Sequence, residues 1–600
     1  MADEIEVREV PTGGAEEAAG RGGVGAWWKS GTAIVTGIAA GTVAAHVATG
    51  ARYGFDRDEL MLLEDARHLA WGYVAYPPMT AFFGRVALEL FGASLVGFRF
   101  FAAVVQAAAL VLTGLMAKEM GGGRWAQVVA ALAGVPFCLG AGALMQYISF
   151  DYVCWVLVAY GVVRLLRGGE GWWWVVIGAG IGLGMMAKYT MAFLAVGVVA
   201  GVLLTDLRRH LRSRWPWIGA GLALVIVSPN LIWQMRRNFV SMEFLRFLHE
   251  RDVGTGVTDW FLAGQLKLTL LAFPLAVAGL WFCFFSSPGK RYKALGWMYA
   301  VPLVLFLVMR GRDYYLAPAY PMLYAAGAVW LEKWLVNLEE TVASSGDSGD
   351  TASSPSRRKT NEAGPPGGEA ESYGKPPLAR HSEQESTASK FDGKEGSIEV
   401  WRQGGGEAGR ASGPPQLNGG RRARMVRGAI WVALALDVVI AGAVALPLAP
   451  VNSAWWRFAA RVDVVFPEEI GWPEFVETVA QVRDRLPASE RERLGILAGI
   501  FGEVGALNLY GEKYGLPRAI SGVNSSWERG YGNPVPETLI VMGFPRDFLQ
   551  RRFRSCELAG RTWNRYGVAN EETVEVPDIF VCRGLRESWE AFWKEVRGFA

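Results

Sequence analysis

Residues 31–50 read GTAIVTGIAAGTVAAHVATG, an apolar stretch without Asp, Glu, Lys or Arg. A helix of about 20 residues is long enough to cross the hydrocarbon core of a bilayer. Charged side chains follow at once, in Tyr53-Gly-Phe-Asp56-Arg-Asp58-Glu59-Leu. No small-residue cleavage site follows a short apolar core, so we interpret the stretch as a retained membrane span rather than a signal peptide.

Ten further apolar stretches follow this first span. They lie at 94–117, 125–146, 148–166, 172–187, 189–205, 215–232, 261–285, 293–309, 314–335 and 428–449. The composition agrees, because 51% hydrophobic against 20% charged residues is typical of a membrane protein and not of a soluble enzyme. A net charge of +3, from 60 basic and 57 acidic residues, gives no reason to expect a nucleic-acid partner. We therefore predict a polytopic α-helical membrane protein with about eleven transmembrane helices.

Composition also divides the chain into segments. Residues 1–30 are acidic and rich in Gly and Ala, and residues 337–427 are Ser-, Gly-, Pro-, Glu- and Lys-rich. Neither segment carries enough apolar surface to fold, so we predict a disordered tail and a disordered linker. Residues 31–336 form the main membrane domain and 428–449 the last span. In residues 450–600, helix-like Phe475–Leu486 alternates with β-like Leu494–Ala498, Thr538–Met542 and Ile579–Cys582, which predicts a small α/β domain.

Lys and Arg concentrate in alternate connections between the spans, and short cytoplasmic loops retain such residues. The basic connections contain Lys118 and Arg124; Arg164 and Arg167; Arg208, Arg209, Arg212 and Arg214; and Lys290, Arg291 and Lys293. We therefore predict a multi-pass membrane protein with a cytoplasmic N-terminus, tail and linker, and with the C-terminal domain outside. The opposite face receives the connections 51–93, 233–260 and Arg310-Gly-Arg-Asp313, where we expect extracytoplasmic chemistry.

The connection 51–93 contains an acidic pair, Asp58 and Glu59, at the start of a helical pattern that runs to Trp71 and is broken by Pro77-Pro78. One interpretation is a solvated amphipathic helix in which both acids favour the first turn. Another is a functional carboxylate at the membrane surface. These residues alone leave both interpretations open.

Several segments together resemble bacterial GT-C glycosyltransferases of the protein O-mannosyltransferase and aminoarabinose-transferase group. They are the acidic pair with Leu69-Ala-Trp-Gly-Tyr73 and Pro77-Pro78, Gly182-Leu-Gly-Met-Met-Ala-Lys188-Tyr189-Thr190, Ser228-Pro-Asn230-Leu-Ile-Trp233-Gln234, Gly311-Arg312-Asp-Tyr314-Tyr315-Leu-Ala-Pro318, and Phe501-Gly-Glu503 with Ser521-Gly-Val-Asn524. The resemblance covers most of the chain outside the tail and the linker.

The resemblance implies a GT-C fold and an enzyme that transfers a sugar from a polyprenyl-phosphate donor to an extracytoplasmic acceptor, which is an envelope glycan, a lipid or a protein. Because the matching members are bacterial, the resemblance also implies a location in the bacterial inner membrane. Asp58 matches the family's general base. Such a carboxylate removes the acceptor's hydroxyl proton as the oxygen attacks the anomeric carbon, which inverts that centre. Glu59 orients either the acceptor or Asp58, while Asp56 falls outside the matching pair.

A leaving phosphate needs fixed cations, and Lys188 and Arg312 lie at predicted extracytoplasmic helix ends. We expect Arg312 to bind the phosphate through its planar fork and Lys188 to act as a point charge, although either side chain can also simply extend to the interface. Tyr315 adds a hydroxyl or serves as an interfacial anchor.

Three further site candidates are Asp151, Asn230 and His68. Asp151 near the start of a membrane helix is a functional candidate, with helix capping as the alternative. Asn230 belongs to a matching segment. His68 and His249 suggest a metal site only weakly, and the resemblance leaves a divalent ion open because relatives differ; no other cofactor is expected. Cys556 and Cys582 are able to pair outside the cytosol, but their spacing does not decide it.

A transporter or flippase for lipid-linked glycans is the alternative function. Transporters usually place charged or broken-helix sites near the bilayer midplane. Here the polar residues gather at one predicted face, and no matching inverted repeats are apparent. The pattern therefore favours sugar transfer over transport.

Overall fold

The computed structural model describes residues 30–347, 419–462 and 465–599. The predicted disordered tail, apart from Ser30, and most of the predicted linker lie outside the described residues. The chain divides into two compact units, Met1–Asn337 with Met425–Ala600, and Leu338–Arg424. The domain boundaries drawn from composition stay a prediction.

Membrane helices dominate the first unit. Among the described residues, eight helices are long and apolar enough to cross a bilayer: Gly31–Thr49, Leu95–Glu119, Arg124–Ala143, Tyr147–Arg167, Trp215–Arg236, Phe261–Phe285, Lys290–Val308 and Gly420–Ala445. The polytopic helical fold class is thereby confirmed.

Three of the eleven predicted spans form helices that differ from simple spans. Trp173–Ala187 has only 15 residues. Met191–Leu203 bends by 95° into Asp206–Arg212, and counting this pair as one span gives nine in the described chain. Tyr320–Asp347 is long, but charged residues such as Glu332 and Lys333 lower its mean hydropathy. The predicted count of eleven is therefore corrected to eight or nine for the described residues.

Small residues let two membrane helices approach closely. Trp173–Ala187 packs along Trp215–Arg236, and a Cβ added to Gly178 would lie 2.0 Å from the carbonyl oxygen of Gly219. In a membrane the hydrophobic effect does not drive helices together, and small residues stabilise helix pairs by allowing close van der Waals packing. The contact fixes the chain that leads into Lys188.

The connections between spans contain helices of their own. In the connection 51–93, the helix Arg57–Arg67 begins at Asp56, whose side chain accepts the backbone N–H of Asp58 at 2.8 Å. This helix ends at His68, earlier than the predicted end at Trp71, and a second helix, Met79–Phe91, follows the prolines. The connection 233–260 contains the helix Val240–Gly254. The third connection, Arg310-Gly-Arg-Asp313, leads into a 3₁₀ helix, Asp313–Ala319.

The C-terminal region contains a five-stranded sheet. The strands are β1 (Leu494–Ala498), β2 (Ala519–Ile520), β3 (Thr538–Met542), β4 (Phe553–Arg561) and β5 (Asp578–Leu585), in the order β2-β1-β3-β5-β4. β1 runs parallel to β2 and β3, whereas β5 is antiparallel to β3 and β4. The three predicted strands correspond to β1, β3 and β5. Cys556 and Cys582 face each other across β4 and β5 and form a disulfide.

The described C-terminal region also contains α-helices. They are Ala454–Val462, Val465–Glu468, Trp472–Asp484, Ala488–Arg491, Phe501–Tyr510, Arg546–Arg552, Glu571–Val574 and Trp589–Glu595. Trp472–Asp484 corresponds to the predicted Phe475–Leu486. The apolar face of β1 and β3 packs against Phe475, Val476 and Val479, which are buried in one cluster with residues of the connection 51–93.

This cluster attaches the C-terminal region to the helix Arg57–Arg67. A Cβ added to Gly505 would lie 2.5 Å from the carbonyl oxygen of Leu60, so the two helices touch along their backbones. Two ion pairs extend the contact, Glu64 with Arg518 and Asp65 with Arg529. The helix that carries Asp58 is therefore held between the membrane helices and the C-terminal region.

Candidate active site

A cavity of about 440 Å³ lies where the three predicted extracytoplasmic connections meet the C-terminal region. It contains charged groups of both signs beside apolar side chains. Its lining includes Arg57, Asp58, Met61, Tyr76, Tyr147, Lys188, Tyr189, Thr190, Phe244, His249, Arg251, Asp252, Phe306, Arg310, Arg312, Tyr315, Phe501, Asn524 and Glu571. A pocket of this size and mixed character is the usual form of a small-molecule site.

Asp58 lines the cavity from the first turn of the helix Arg57–Arg67. Burial raises the pKa of its carboxyl group above the usual range, while the positive charges of Arg57 and Arg312 oppose the rise. A carboxylate with a raised pKa is a stronger base than a solvated one. Asp58 therefore combines access to the cavity with the chemistry of a proton acceptor.

Glu59 does not line the cavity. It is fully buried, and the guanidinium of Arg99 donates from Nε to both of its carboxylate oxygens, at 2.9 and 3.1 Å. The backbone N–H groups of Met145 and Asp56 donate to the same carboxylate, at 2.8 and 3.1 Å. With this many donors Glu59 fixes the position of the helix start, and its negative charge also contributes to the raised pKa of Asp58.

Lys188 projects into the cavity at the end of the helix Trp173–Ala187. Three tyrosine rings surround its ammonium group, with centroids 5.2, 4.6 and 4.3 Å away for Tyr147, Tyr314 and Tyr315. Such rings attract a cation through their negative faces. No carboxylate of the described residues forms a salt bridge with Lys188. Its charge thus remains available to an anion.

Arg312 lines the cavity with its guanidinium held by Asp252. Nε and Nη2 donate to the two carboxylate oxygens, at 2.5 and 2.8 Å. The remaining nitrogen, Nη1, lies 3.5 Å from the hydroxyl of Tyr314. The bidentate pair fixes the plane of the guanidinium and leaves Nη1 as the donor for a ligand.

Three sequence candidates lie behind the cavity wall. Asp151 accepts hydrogen bonds from Trp155 Nε1 at 3.1 Å and Thr190 Oγ1 at 3.0 Å, and so supports a residue that does line the cavity. The alternative of helix capping is wrong for Asp151, because its helix begins at Tyr147 with Gln146 as the cap residue. The carboxylate is one full turn inside.

Asn230 and His68 also hold the structure together. Asn230 donates to the carbonyl of Trp71 at 2.8 Å and accepts from the hydroxyl of Tyr189 at 3.1 Å. His68 Nε2 lies 2.7 Å from Arg518 Nη2, at the junction with the C-terminal region. Within the described ranges, no group of three His, Cys, Asp or Glu side chains is arranged to hold a metal ion.

Sequence reasoning missed several residues of the site. Asp252 belongs to no recognisable motif and lies in a connection that contains many other charged residues. Tyr147 belongs to an otherwise ordinary membrane helix. From the C-terminal region come Phe501 and Glu571, of which Glu571 forms an ion pair with Arg57. The segment that contains Phe501 matched the family pattern, but the sequence did not show that it reaches the cavity.

Known proteins match this chain in sequence and in fold. The family profile described as dolichyl-phosphate-mannose-protein mannosyltransferase matches residues 75–233. Lipid A galacturonosyltransferase RgtD of Rhizobium johnstonii is 23% identical over 291 residues, which are 46% of this chain and 59% of that protein. This chain therefore spans less than two thirds of that curated relative.

Crystal structures of ArnT from Cupriavidus metallidurans share the architecture. The apo structure superposes with a TM-score of 0.52 at 15% identity, covering 93% of this chain and 98% of that one. The structure bound to undecaprenyl phosphate gives a TM-score of 0.50 at 14% identity, with the same coverage. These matches confirm the predicted resemblance to the protein O-mannosyltransferase and aminoarabinose-transferase group, and the chain has the GT-C fold.

Proposed function

We propose that this chain is an integral-membrane glycosyltransferase that transfers a sugar from a polyprenyl-phosphate donor to an extracytoplasmic acceptor. The observation that carries the proposal is the cavity, in which the carboxylate of Asp58 and the cations of Lys188 and Arg312 share one space. A base and an anion site at the same place match the two ends of a displacement at an anomeric carbon.

The reaction then follows from the groups on the cavity wall. Asp58 removes the proton of the acceptor hydroxyl while that oxygen forms a bond to the anomeric carbon. The bond between the anomeric carbon and the donor phosphate oxygen breaks, and its electrons leave with the polyprenyl phosphate. Lys188 and Arg312 stabilise the negative charge that develops there. A single displacement of this kind inverts the anomeric centre.

Relatives suggest where the search for substrates begins. The curated relative is, by its name, a galacturonosyltransferase that acts on lipid A, and one ArnT structure holds undecaprenyl phosphate. We therefore place galacturonic acid on undecaprenyl phosphate first in the donor panel and lipid A first among the acceptors. Other envelope glycans, lipids and proteins complete the acceptor panel.

We also propose that the cavity and the C-terminal region lie outside the cytoplasm, in a bacterial inner membrane, with the N-terminus inside. Basic side chains in the alternate connections support this orientation. The disulfide between Cys556 and Cys582 supports it as well, because disulfides persist in oxidising compartments. Alkaline phosphatase fused after the last residue is expected to be active, and an inactive fusion would contradict the orientation.

The experiment that tests the function uses the full chain in proteoliposomes with radiolabelled lipid-linked sugars. Asp58→Asn should abolish transfer to the acceptor, because an amide cannot accept the proton. Asp484→Asn is the matched control, since Asp484 is an exposed acid of the C-terminal region that pairs with Arg483, and neither residue lines the cavity. Runs with EDTA and with added Mg²⁺ or Mn²⁺ determine whether transfer needs a divalent ion.

The cations are tested in the same assay. Lys188→Met and Arg312→Gln should each lower kcat/KM by about 10²- to 10³-fold, the usual effect of removing one group that stabilises developing charge. Undiminished transfer by Asp58→Asn would exclude Asp58 as the base. Movement of lipid-linked glycan across the bilayer without any transfer would contradict the enzyme and support the transporter.

A further inference from the structure

A second cavity, separate from the proposed active site, opens between three membrane helices. This groove has a volume of about 510 Å³. The first span, the helix Arg124–Ala141 and the last span form its walls. They contribute Ile38, Gly41, Thr42, Ala45, Leu132, Val135, Leu139, Val438, Val439, Gly442, Ala443 and Leu446, while Leu448 and Trp455 lie at one end.

Two glycines on opposite walls give the groove its depth. A Cβ added to Gly41 meets no atom within 4 Å, and one added to Gly442 comes no closer than 3.8 Å to Leu139 Cδ1. Glycines in membrane helices commonly allow two backbones to pack closely. These two instead leave open space, so they make room for something other than the protein.

The walls offer hydrocarbon contacts and almost nothing else. The one hydroxyl, that of Thr42, donates to the carbonyl of Ala39 at 2.8 Å and is thereby satisfied. An extended peptide segment placed here would bury backbone N–H and C=O groups without partners, which is costly in an apolar medium. A flexible hydrocarbon chain has no such groups and fits this chemistry.

Polar groups lie at one end of the groove. Trp455, from the helix Ala454–Val462, donates its indole N–H to the carbonyl of Ala443 at 2.9 Å, which places its ring at the end of the last span. The exposed guanidinium of Arg52 donates to the carbonyl of Leu448, which also lines the groove, at 2.9 Å. Trp and Arg at the end of apolar walls are typical of the membrane–water interface.

We propose that this groove binds one acyl chain of an anionic phospholipid, with Arg52 paired to its headgroup phosphate. The chain lies along Gly41 and Gly442, below Trp455. This site is independent of the proposed sugar transfer, because none of its lining residues lines the cavity that contains Asp58. The ligand is a lipid of the surrounding bilayer, held where the first and last spans meet.

The test is native mass spectrometry of the full protein, stripped of lipid in detergent and titrated with phosphatidylglycerol or phosphatidylcholine. Gly41→Leu places a side chain in the groove at a position where a Cβ meets no atom within 4 Å. It should weaken the tightest phosphatidylglycerol binding by about tenfold, which corresponds to the leucine-sized apolar contact that it displaces. Gly37→Leu is the matched control, since Gly37 lies one turn earlier on the same helix, also faces open space and does not line the groove.

Arg52→Gln tests the headgroup contact. One basic side chain near a membrane surface is worth about 1 kcal/mol, so the variant should lose an approximately fivefold preference for phosphatidylglycerol over phosphatidylcholine. Gly442→Leu fills the groove from the other wall and replaces Gly41→Leu if that variant does not fold. Wild-type binding by the folded glycine variants would overturn the proposal. So would preferential binding of undecaprenyl phosphate, which would make the groove a site for the carrier lipid.

Discussion

Arg99 joins three parts of the chain, and its removal should destabilise the protein more than any other single change near Asp58. Its guanidinium reaches Glu59 from the helix Arg57–Arg67 and Glu469 from the C-terminal region, with Nη2 at 2.5 and 2.7 Å from their carboxylates. It also donates to the carbonyls of Gly50 and Gly54, at 3.1 and 3.0 Å. All three charged side chains are nearly inaccessible, with at most 5% of each exposed.

The expected magnitude follows from these contacts. Arg99→Met removes the common cation of two buried carboxylates, and breaking a buried pair on one side costs about 3–5 kcal/mol. Glu469→Gln keeps a carbonyl acceptor and leaves the Arg99–Glu59 pair intact, so we expect a loss of about 1 kcal/mol. Arg85→Met is the control, because Arg85 makes only an exposed pair with Glu89. Such surface changes stay within about 0.5 kcal/mol.

Unfolding of the purified protein in detergent, followed by tryptophan fluorescence, measures these differences. The order of stability should be wild type and Arg85→Met first, then Glu469→Gln, and Arg99→Met last. Limited proteolysis should also cleave the connection 51–93 sooner in Arg99→Met, because that segment loses its attachment. A loss below about 1 kcal/mol for Arg99→Met, or equal losses for Arg99→Met and Glu469→Gln, would refute the reasoning.

Three further predictions concern acid–base groups and the disulfide. Burial raises the pKa of Asp58. As the pH decreases, kcat/KM for transfer should therefore begin to fall at a higher pH than it would for a solvated aspartate. Arg57→Gln removes a positive charge that lowers this pKa, so it should move the fall to still higher pH, and an unchanged pH profile in that variant would contradict the assignment of Asp58 as the base. Burial raises the pKa of Glu503 to about 8, so the folded state binds this proton more tightly than the unfolded state does. The free energy of unfolding should therefore decrease as the pH rises from about 5 to 8. Glu503→Gln should flatten this pH dependence in unfolding curves measured at several pH values. Replacing Cys556 and Cys582 by Ser opens a loop with a sequence separation of 26. The free energy of unfolding, measured with a chemical denaturant, should fall by about 3–4 kcal/mol. An unchanged free energy of unfolding would show that the disulfide does not stabilise the protein.

Much of the fold could be predicted from local pattern. The eight helices that qualify as spans were found because a bilayer imposes one length and one polarity on any helix that crosses it. β1, β3 and β5 were found because short apolar runs bounded by polar residues favour buried strands. β2, with two residues, and the partly exposed β4 were missed, since neither presents such a run.

The sequence by itself determined which segments enter the membrane and which motifs are shared with the GT-C enzymes, because both depend on neighbouring residues. Only the tertiary structure decided which polar groups share a space. Asp58 and Glu59 are adjacent, yet one lines the cavity and the other is buried against Arg99, because consecutive side chains on a helix point in different directions. Likewise, Arg312 meets Asp252 across 60 residues. Contacts between such distant residues depend on how helices pack, and no local pattern encodes them.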